Sequence, residues 1–281
     1  MKAKPSARAV LITGCSSGIG YCVAHGLRRR GYQVIATARR EADVGKLREE
    51  GLEALRLDLA DSRSIALAFE ATVALTGGRL YALFNNGGYG QAGAVEDLSR
   101  EALREQFETN VFGGQQLSNL AIPLMRRQGE GRIIQNSSVL GFVSMAFRGA
   151  YNASKHAIEA LSDTMRLELR GSGVQVVLIE PGPISSRFRA NSLEALRRHI
   201  DMAASVHAQH YARVLARLQK PGPAAPFTLP PEAVLRAVIR ALEARRPRLR
   251  YRVTVPTHLF ACLKRVLPAR SLDAVLLRAS G

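Results

Sequence analysis

Six short runs of apolar residues punctuate the first two thirds of the chain: "RAVLIT" (8–13), "YQVIATA" (32–38), "LEALRLD" (52–58), "LYALFNN" (80–86), "GRIIQNSS" (131–138) and "VQVVLIE" (174–180). Most are unbroken rather than alternating, the pattern of parallel strands buried on both faces. Between them the pattern changes to a helical one, as in "IGYCVAHGLRRRG" (19–31), "SRSIALAFEATVALTGG" (62–78) and "ASKHAIEALSDTMRLELRGSG" (153–173). Gly31, Gly77 and Gly171 stand where such helices need a residue that tolerates a left-handed C-terminus. Strands alternating with helices predict an α/β chain: one doubly wound, Rossmann-type parallel sheet with helices on both faces and right-handed crossovers.

No internal repeat or low-complexity linker divides the chain. "KPGPAAPFTLPPEA" (220–233) is Pro-rich, but a helical pattern and a strand-like "RLRYRVTV" (248–255) follow it. It is therefore a loop, and residues 1–281 are expected to form a single domain. Two segments stand outside the repeating pattern. Residues 185–219 predict a helical lid, with Phe188, Leu193, Ile200, Met202 and Val206 as its apolar inner face. Residues 256–281 form a basic, amphipathic C-terminal tail.

Apolar residues make up 47 % of the chain, enough to bury a sizeable core. Three cysteines (Cys15, Cys22, Cys262) lack a CxxC or a Cys/His cluster, which fits a reducing, cytoplasmic setting and argues against a zinc site. His199, His207 and His210 have no cysteine or acid at ligand spacing, so no metal is expected. "MKAKPSARAVLITG" runs almost directly into a strand without a leader's apolar core, and no apolar run is long enough to span a bilayer. The formal net charge is +17. Such a balance fits nucleic acid, an anionic membrane or anionic ligands, and equally the bias of an arginine-rich proteome. Nucleic-acid binding is not expected, because no recognition motif or set of stacking aromatics accompanies the charge. The excess is steepest at the end, with eleven Lys/Arg against Glu243 and Asp273 from Arg236 onward. The tail accordingly has three readings: cover for the pocket, a subunit interface, or peripheral contact with an anionic membrane. Packing on its own domain is the default.

Candidate chemistry begins at "VLITGCSSGIG", where Gly14-x-x-x-Gly18-x-Gly20 lies between the first strand and the first helix. Glycine serves where backbone turns tightly or approaches a pyrophosphate, and a helix N-terminus favours anions. At the end of the second strand, where an acid would bind the 2′-hydroxyl of NAD, stands Ala38, followed by Arg39 and Arg40. An arginine there meets the 2′-phosphate of NADP. Tyr151-x-x-x-Lys155 in "RGAYNASKHAIEAL" is, taken alone, an ordinary pair on one helix face.

Taken together, Thr13-Gly14-x-x-x-Gly18-x-Gly20, Asn85-Asn86-Gly87-Gly88, Asn110, Ser138, Tyr151-x-x-x-Lys155 and Pro181-Gly182 resemble the motifs of the short-chain dehydrogenase/reductase family from about Val10 to Pro183. "SSVLGFVSMAFRGAYNASKHAIEALSDTMRLELR" and "IEPGPISSRF" are similar to the branch of 17β-hydroxysteroid and retinol dehydrogenases, and most of all to bacterial YbbO-type aldehyde reductases. The resemblance implies a catalytic set of Asn110, Ser138, Tyr151 and Lys155. In it Tyr151 exchanges the proton, and Lys155 lowers the phenol pKa and binds the nicotinamide ribose. Ser138 polarises the carbonyl, and Asn110 holds a relay water. It implies cofactor contacts from Thr13, Gly14, Ser16, Ser17, Gly18, Ile19, Gly20 and Arg39, and from Asp58, Leu59, Asn86 and Gly87. Pro181, Gly182, Ile184 and Ser186 complete that set with Tyr151 and Lys155. Gly87 departs from the family's usual alanine. The resemblance further implies a homo-oligomer, a dimer or tetramer.

The expected activity is NADP-dependent hydride transfer between nicotinamide and a hydrophobic carbonyl or alcohol, foremost reduction of an aldehyde. "GFVSMAF" (141–147) would line the pocket opposite the lid. Hydroxysteroid or retinol oxidoreduction is the alternative within the class. A non-catalytic NADP-binding sensor is the alternative outside it, against which stands the intact catalytic set. His156 and Cys15 are read as structural.

Overall fold

The computed structural model describes residues 8–223 and 225–280. Residues 1–7, on which the expectation of no leader partly rested, lie outside it, as do Ala224 of the Pro-rich loop and Gly281 of the tail. The apolar runs form β1 (Ala9–Ile12), β2 (Gln33–Ala38), β3 (Glu53–Arg56), β4 (Ala82–Asn85), β5 (Gly131–Asn136) and β6 (Val174–Glu180). With β7 (Arg250–Arg252) they make one parallel sheet in the order β3-β2-β1-β4-β5-β6-β7. In β1 the side chains of Val10 and Ile12 enter a core with Val34, Phe84 and Val177, whereas Ala9 and Leu11 enter another with Ile35, Leu83 and Ile133. Both faces are therefore buried, which is why the run needs no polar alternation.

Helices α1 (Gly18–Arg29), α2 (Glu41–Glu49), α3 (Ser62–Leu75), α4 (Arg100–Phe107), α5 (Gly113–Gln128) and α6 (Gly149–Glu168) follow the strands. Asp61 caps α3 by accepting from the Arg63 and Ser64 amides, and Gly31, Gly77 and Gly171 take the left-handed conformation expected of them. α6 begins four residues earlier than its periodicity indicates, which puts Tyr151 in its first turn. The lid comprises α7 (Phe188–His199) and α8 (Ala208–Gln219), and α9 (Glu232–Glu243) follows the Pro-rich loop. The strand expected over 248–255 shortens to β7, because Pro256 occupies the first turn of α10 (Val255–Val266). α11 (Ala269–Ser280) ends the described chain.

The tail folds on the body of the protein. Phe260 of α10 and Leu276 of α11 are buried with Val139, Leu140 and Val143. Lys264 donates to the Phe142 carbonyl, and the Ser280 hydroxyl accepts from the Ala146 amide at 3.1 Å. No helix among the described residues is long and apolar enough to cross a membrane. Strand order reverses between β1 and β4, and the crevice beyond their carboxyl ends is where such sheets bind ligands.

Candidate active site

A cavity of about 1090 Å³ opens at that crevice and extends under the lid and tail. Its floor at one end is the glycine loop. Gly14 and Gly18 have φ of 70° and 60°, a conformation that side-chain-bearing residues rarely adopt. A Cβ on Gly20 would lie 2.3 Å from the Gly14 carbonyl oxygen, so the turn closes only with glycine there. Ser16, Ser17, Gly18 and Ile19 border the cavity. The Ser17 side chain does not cap α1, and no acid occupies its first turn. The exposed amides of a helix N-terminus therefore face the cavity with no internal anion, and they fit a dinucleotide pyrophosphate.

Thr13 and Gly20 brace this loop from behind rather than bordering the cavity. Thr13 Oγ1 accepts from the Asn86 and Gly87 amides, both at 2.9 Å. Asn86 Nδ2 donates to the Thr13 carbonyl at 2.8 Å and to that of Gly14 at 3.2 Å. Asn136, at the end of β5, donates to Asn86 Oδ1 at 3.0 Å, and Lys155 Nζ donates to the Asn136 carbonyl at 2.7 Å. One chain of hydrogen bonds thus ties the glycine loop to the lysine. Asn136 was not among the expected site residues. Its signal was a polar side chain at the carboxyl end of a buried parallel strand.

An alanine Cβ at 87 would sit 2.6 Å from Leu59 Cδ1, so alanine there would need the Leu59 side chain to shift. Asp58 accepts from the Ala60 amide, and its own amide donates to Ser64 Oγ. Asp58, Leu59 and Arg39 are not part of the cavity's lining. Arg40 is committed to Asp43 at 2.9 Å, whereas Arg39 forms no ion pair among the described residues. Pro181, Gly182, Ile184 and Ser186 line the cavity opposite the glycine loop, with Ser186 Cβ 2.9 Å from where a Gly18 Cβ would stand.

Ser138, Tyr151 and Lys155 border the same cavity. Ser138 Oγ accepts from the Leu140 amide at 3.1 Å, which leaves its own hydrogen free to donate. Ser137 also reaches the lining, but its hydroxyl is buried without a hydrogen-bond partner among the described residues. Of the two serines, only Ser138 acts on the Tyr151 phenol. Burial pushes the Tyr151 phenol up to about 12, with Ser138 alone pulling it down. Lys155 Nζ is 5.6 Å from the Tyr151 ring centre, and burial pushes its pKa down to about 8, opposed by Glu159. The phenol's net shift is upward because desolvation outweighs the effect of Ser138. Glu159, one turn beyond Lys155, is held by Arg250 at 3.0 Å, and Arg250 also meets Glu180 at 3.0 Å.

Asn110 sits in a π-helical turn (Glu108–Phe112) and is buried. Its side chain is spent inside the protein: Oδ1 accepts from the Tyr89 amide at 3.0 Å, and Nδ2 donates to the Tyr89 carbonyl and to Ser154 Oγ. It does not reach the cavity, so the water-holding expected of Asn110 cannot use its side chain in this arrangement. The wide turn breaks the i to i+4 ladder of the helices on either side.

The lid differs in detail from expectation. Ile200 is buried and Met202 packs beside it, and the Phe188 ring meets Tyr151 edge-on at 5.2 Å. Val206, however, is 86 % exposed and belongs to no inner face. Of "GFVSMAF", Met145, Ala146 and Phe147 line the cavity, while Phe142 and Val143 pack under the tail. Phe147, at φ 59°, stacks on His210 of α8. His199 pairs with Glu105 and His207 with Glu96. His156 bonds the Asn152 carbonyl, and Cys15 is buried with its thiol pushed up to about 12, which leaves no reactive thiolate.

A tyrosine, a lysine and a serine converging on a pocket that opens beyond a glycine turn in a doubly wound sheet define an oxidoreductase site. The short chain dehydrogenase family model matches residues 8–197, and the chain belongs to that family. It is 42 % identical over 269 residues to the uncharacterized oxidoreductase YbbO of Escherichia coli strain K12, covering 96 % of this chain and 94 % of that one. It is 31 % identical over 277 residues to an NADPH-dependent 3-dehydrocapnine reductase of Ornithobacterium rhinotracheale, covering 95 % of each. A short chain dehydrogenase/reductase from Burkholderia phymatum, solved in complex with NAD, superposes with a TM-score of 0.77 at 25 % identity, covering 98 % of this chain and 97 % of that one.

Proposed function

We propose that the protein is an NADP-dependent reductase of hydrophobic carbonyl compounds, foremost aldehydes. The observation that carries this reading is the Tyr151–Ser138 hydroxyl pair, with Lys155 behind it, on the wall of a largely apolar cavity. A dinucleotide held by its pyrophosphate at the glycine loop would supply the hydride from its nicotinamide. Ser138 donates its free hydrogen to the substrate oxygen and fixes the carbonyl. Tyr151, which burial keeps protonated, delivers the proton to that oxygen as negative charge develops on it. Lys155 is ammonium below about pH 8 and stabilises the phenolate that Tyr151 becomes. The Asn136 carbonyl orients Lys155, and Asn110 serves the reprotonation relay through its main chain.

NADP over NAD is supported by Arg39, the one of the two adjacent arginines without an acidic partner among the described residues. The NADPH dependence named for the Ornithobacterium relative favours the same cofactor, while the Burkholderia structure carries NAD. We further propose that residues 1–281 act as one cytoplasmic domain and assemble as a homo-oligomer. Exposed Phe112, Leu161 and Leu167 on the α5–α6 side support the latter. Exposed Val255, Leu259 and Val266, with Lys264 and Arg265 among them, support a peripheral membrane contact of the tail, which Leu259→Ser/Val266→Ser would abolish in flotation with anionic liposomes. The function is tested by a turnover screen of aldehydes, ketosteroids and retinoids with NADPH and NADH side by side. Medium-chain aldehydes with NADPH are expected to lead, and absence of turnover with every carbonyl compound would sink the reading.

A further inference from the structure

No aspartate or glutamate borders the cavity among the described residues, yet arginines reach it from the lid, the tail and the loop before α6. The lid helix shows the arrangement most clearly. His210, Arg213, Val214, Arg217 and Leu218 lie at i, i+3, i+4, i+7 and i+8 of α8, a single helical face, and all five line the cavity. On the side of the helix away from the two arginines, Tyr211 is buried with Ala92 and Ala94, packs with Val214 and Leu218, and is hydrogen-bonded to Asp97, so the helix cannot turn its arginines away. Arg213 and Arg217, one turn apart, repel each other on that face. Neither forms an ion pair among the described residues, nor do Arg148 and Arg278 elsewhere on the lining. Burial depresses the Arg217 pKa with no opposing acid. The half-buried arginines at the other side of α6 are treated differently: Arg250 and Arg252 are matched by Glu159 and Glu180.

This basic face belongs to the Tyr151 side of the cavity. His210 stacks on Phe147 at 5.4 Å, and Phe147 leads through Arg148 into the first turn of α6. The apolar share of the same face, Val214 and Leu218, continues into Phe188 and Phe147.

We propose that Arg213 and Arg217 form an anion subsite, and that the preferred substrates are amphiphiles: a carbonyl on an apolar chain that ends in a carboxylate or phosphate. The proposal rests on reading the cavity as the substrate pocket. The chain lies along the apolar share of the face, and the two guanidinium groups take the anion, which removes their mutual repulsion and adds charge-assisted hydrogen bonds.

Calorimetric titration of the NADPH-bound protein with dodecanoate, dodecyl phosphate and dodecanol tests this without turnover. At least one anion is expected to bind about tenfold or more tighter than the alcohol, the two anions showing which headgroup is preferred. The ratio should shrink as salt rises, and should fall toward one in Arg213→Gln/Arg217→Gln while Arg213→Lys/Arg217→Lys retains part of it. Equal binding of all three probes, or a ratio untouched by the glutamine pair, overturns the subsite. A parallel turnover arm compares 12-oxododecanoate with dodecanal. If the anions bind tighter but neither aldehyde is reduced, the subsite stands and the reductase reading falls. If both aldehydes are reduced and the anions show no advantage, the reductase stands and the subsite falls.

Discussion

The glycine-loop end of the cavity and the lid end solve opposite problems. At the first, nearly every polar group is tied down: Thr13 to Asn86 and Gly87, Asn86 to Gly14, Asn136 to Asn86, Lys155 to Asn136. Backbone approaches backbone so closely that a Cβ on Gly14 would lie 2.7 Å from the Gly87 Cα. At the second, guanidinium groups stand without acidic partners, and a non-glycine residue, Phe147, is held at positive φ by aromatic packing on the lid. A fixed cofactor and a fixed reaction favour the first construction. A replaceable substrate favours the second, where loops and small helices tolerate change.

Substitutions sort along that contrast. At the rigid end the largest effect is expected from Lys155→Met, which should lower kcat/KM by roughly 10²–10³ because the phenolate loses its cation. The same change should stabilise the protein. The lysine titrates near 8 in the fold and 10.5 in the open chain, so between those values the unfolded chain binds more protons and stability rises with pH. The cost of burying its charge is therefore full below about pH 8. Lys155→Met should exceed the wild type by about 3 kcal/mol at pH 7, and the gap should close toward pH 10.5, read by denaturant unfolding without cofactor. A constant gap across that range would show that desolvation of Lys155 is not its cause.

Gly18→Val comes next. It forces a β-branched residue to φ near 60° and drives a side chain into Ser186, so NADPH affinity should fall roughly 10–100-fold by fluorescence titration. Arg39→Ala should cut the NADPH-over-NADH preference about tenfold, and an unchanged ratio would move the 2′-phosphate contact elsewhere. At the adaptable end Phe188→Ala, which removes the ring beside Tyr151, should raise KM for a medium-chain aldehyde only a few-fold, with kcat largely kept. A collapse of kcat there would blur the division between the two ends.

The same division decides what could be read from the sequence. β1, β2, β4, β5 and β6 were legible because burial on both sheet faces leaves an unbroken apolar run. Gly14, Gly18, Ser138, Tyr151 and Lys155 were legible as a group on one cavity because the motif that joins them depends on residue type at fixed spacing. Asn136 was missed because its part in holding Lys155 is played by a backbone carbonyl, which any residue carries. Asn110 was matched to a relay by residue type and position alone, and only the fold shows its side chain taken up by Tyr89 and Ser154. Val206 looked like inner lid because helical periodicity does not say where α7 stops, and it falls in the turn before α8. The arginines of α8 were part of an unspecific charge excess until the fold turned them toward one cavity. For the tail, amphipathicity left its placement open; Phe260 and Leu276 pack it on its own domain while Leu259 and Val266 stay exposed.

Single-turnover reduction of a medium-chain aldehyde by Tyr151→Phe, with NADPH bound and its absorbance followed, tests the central assignment most directly. The phenylalanine keeps the ring against Phe188 and removes only the hydroxyl. The account predicts that NADPH still binds with near wild-type affinity while the reduction step slows by about 10²–10⁴-fold. Turnover close to that of the wild type would contradict the assignment of Tyr151 as the proton donor.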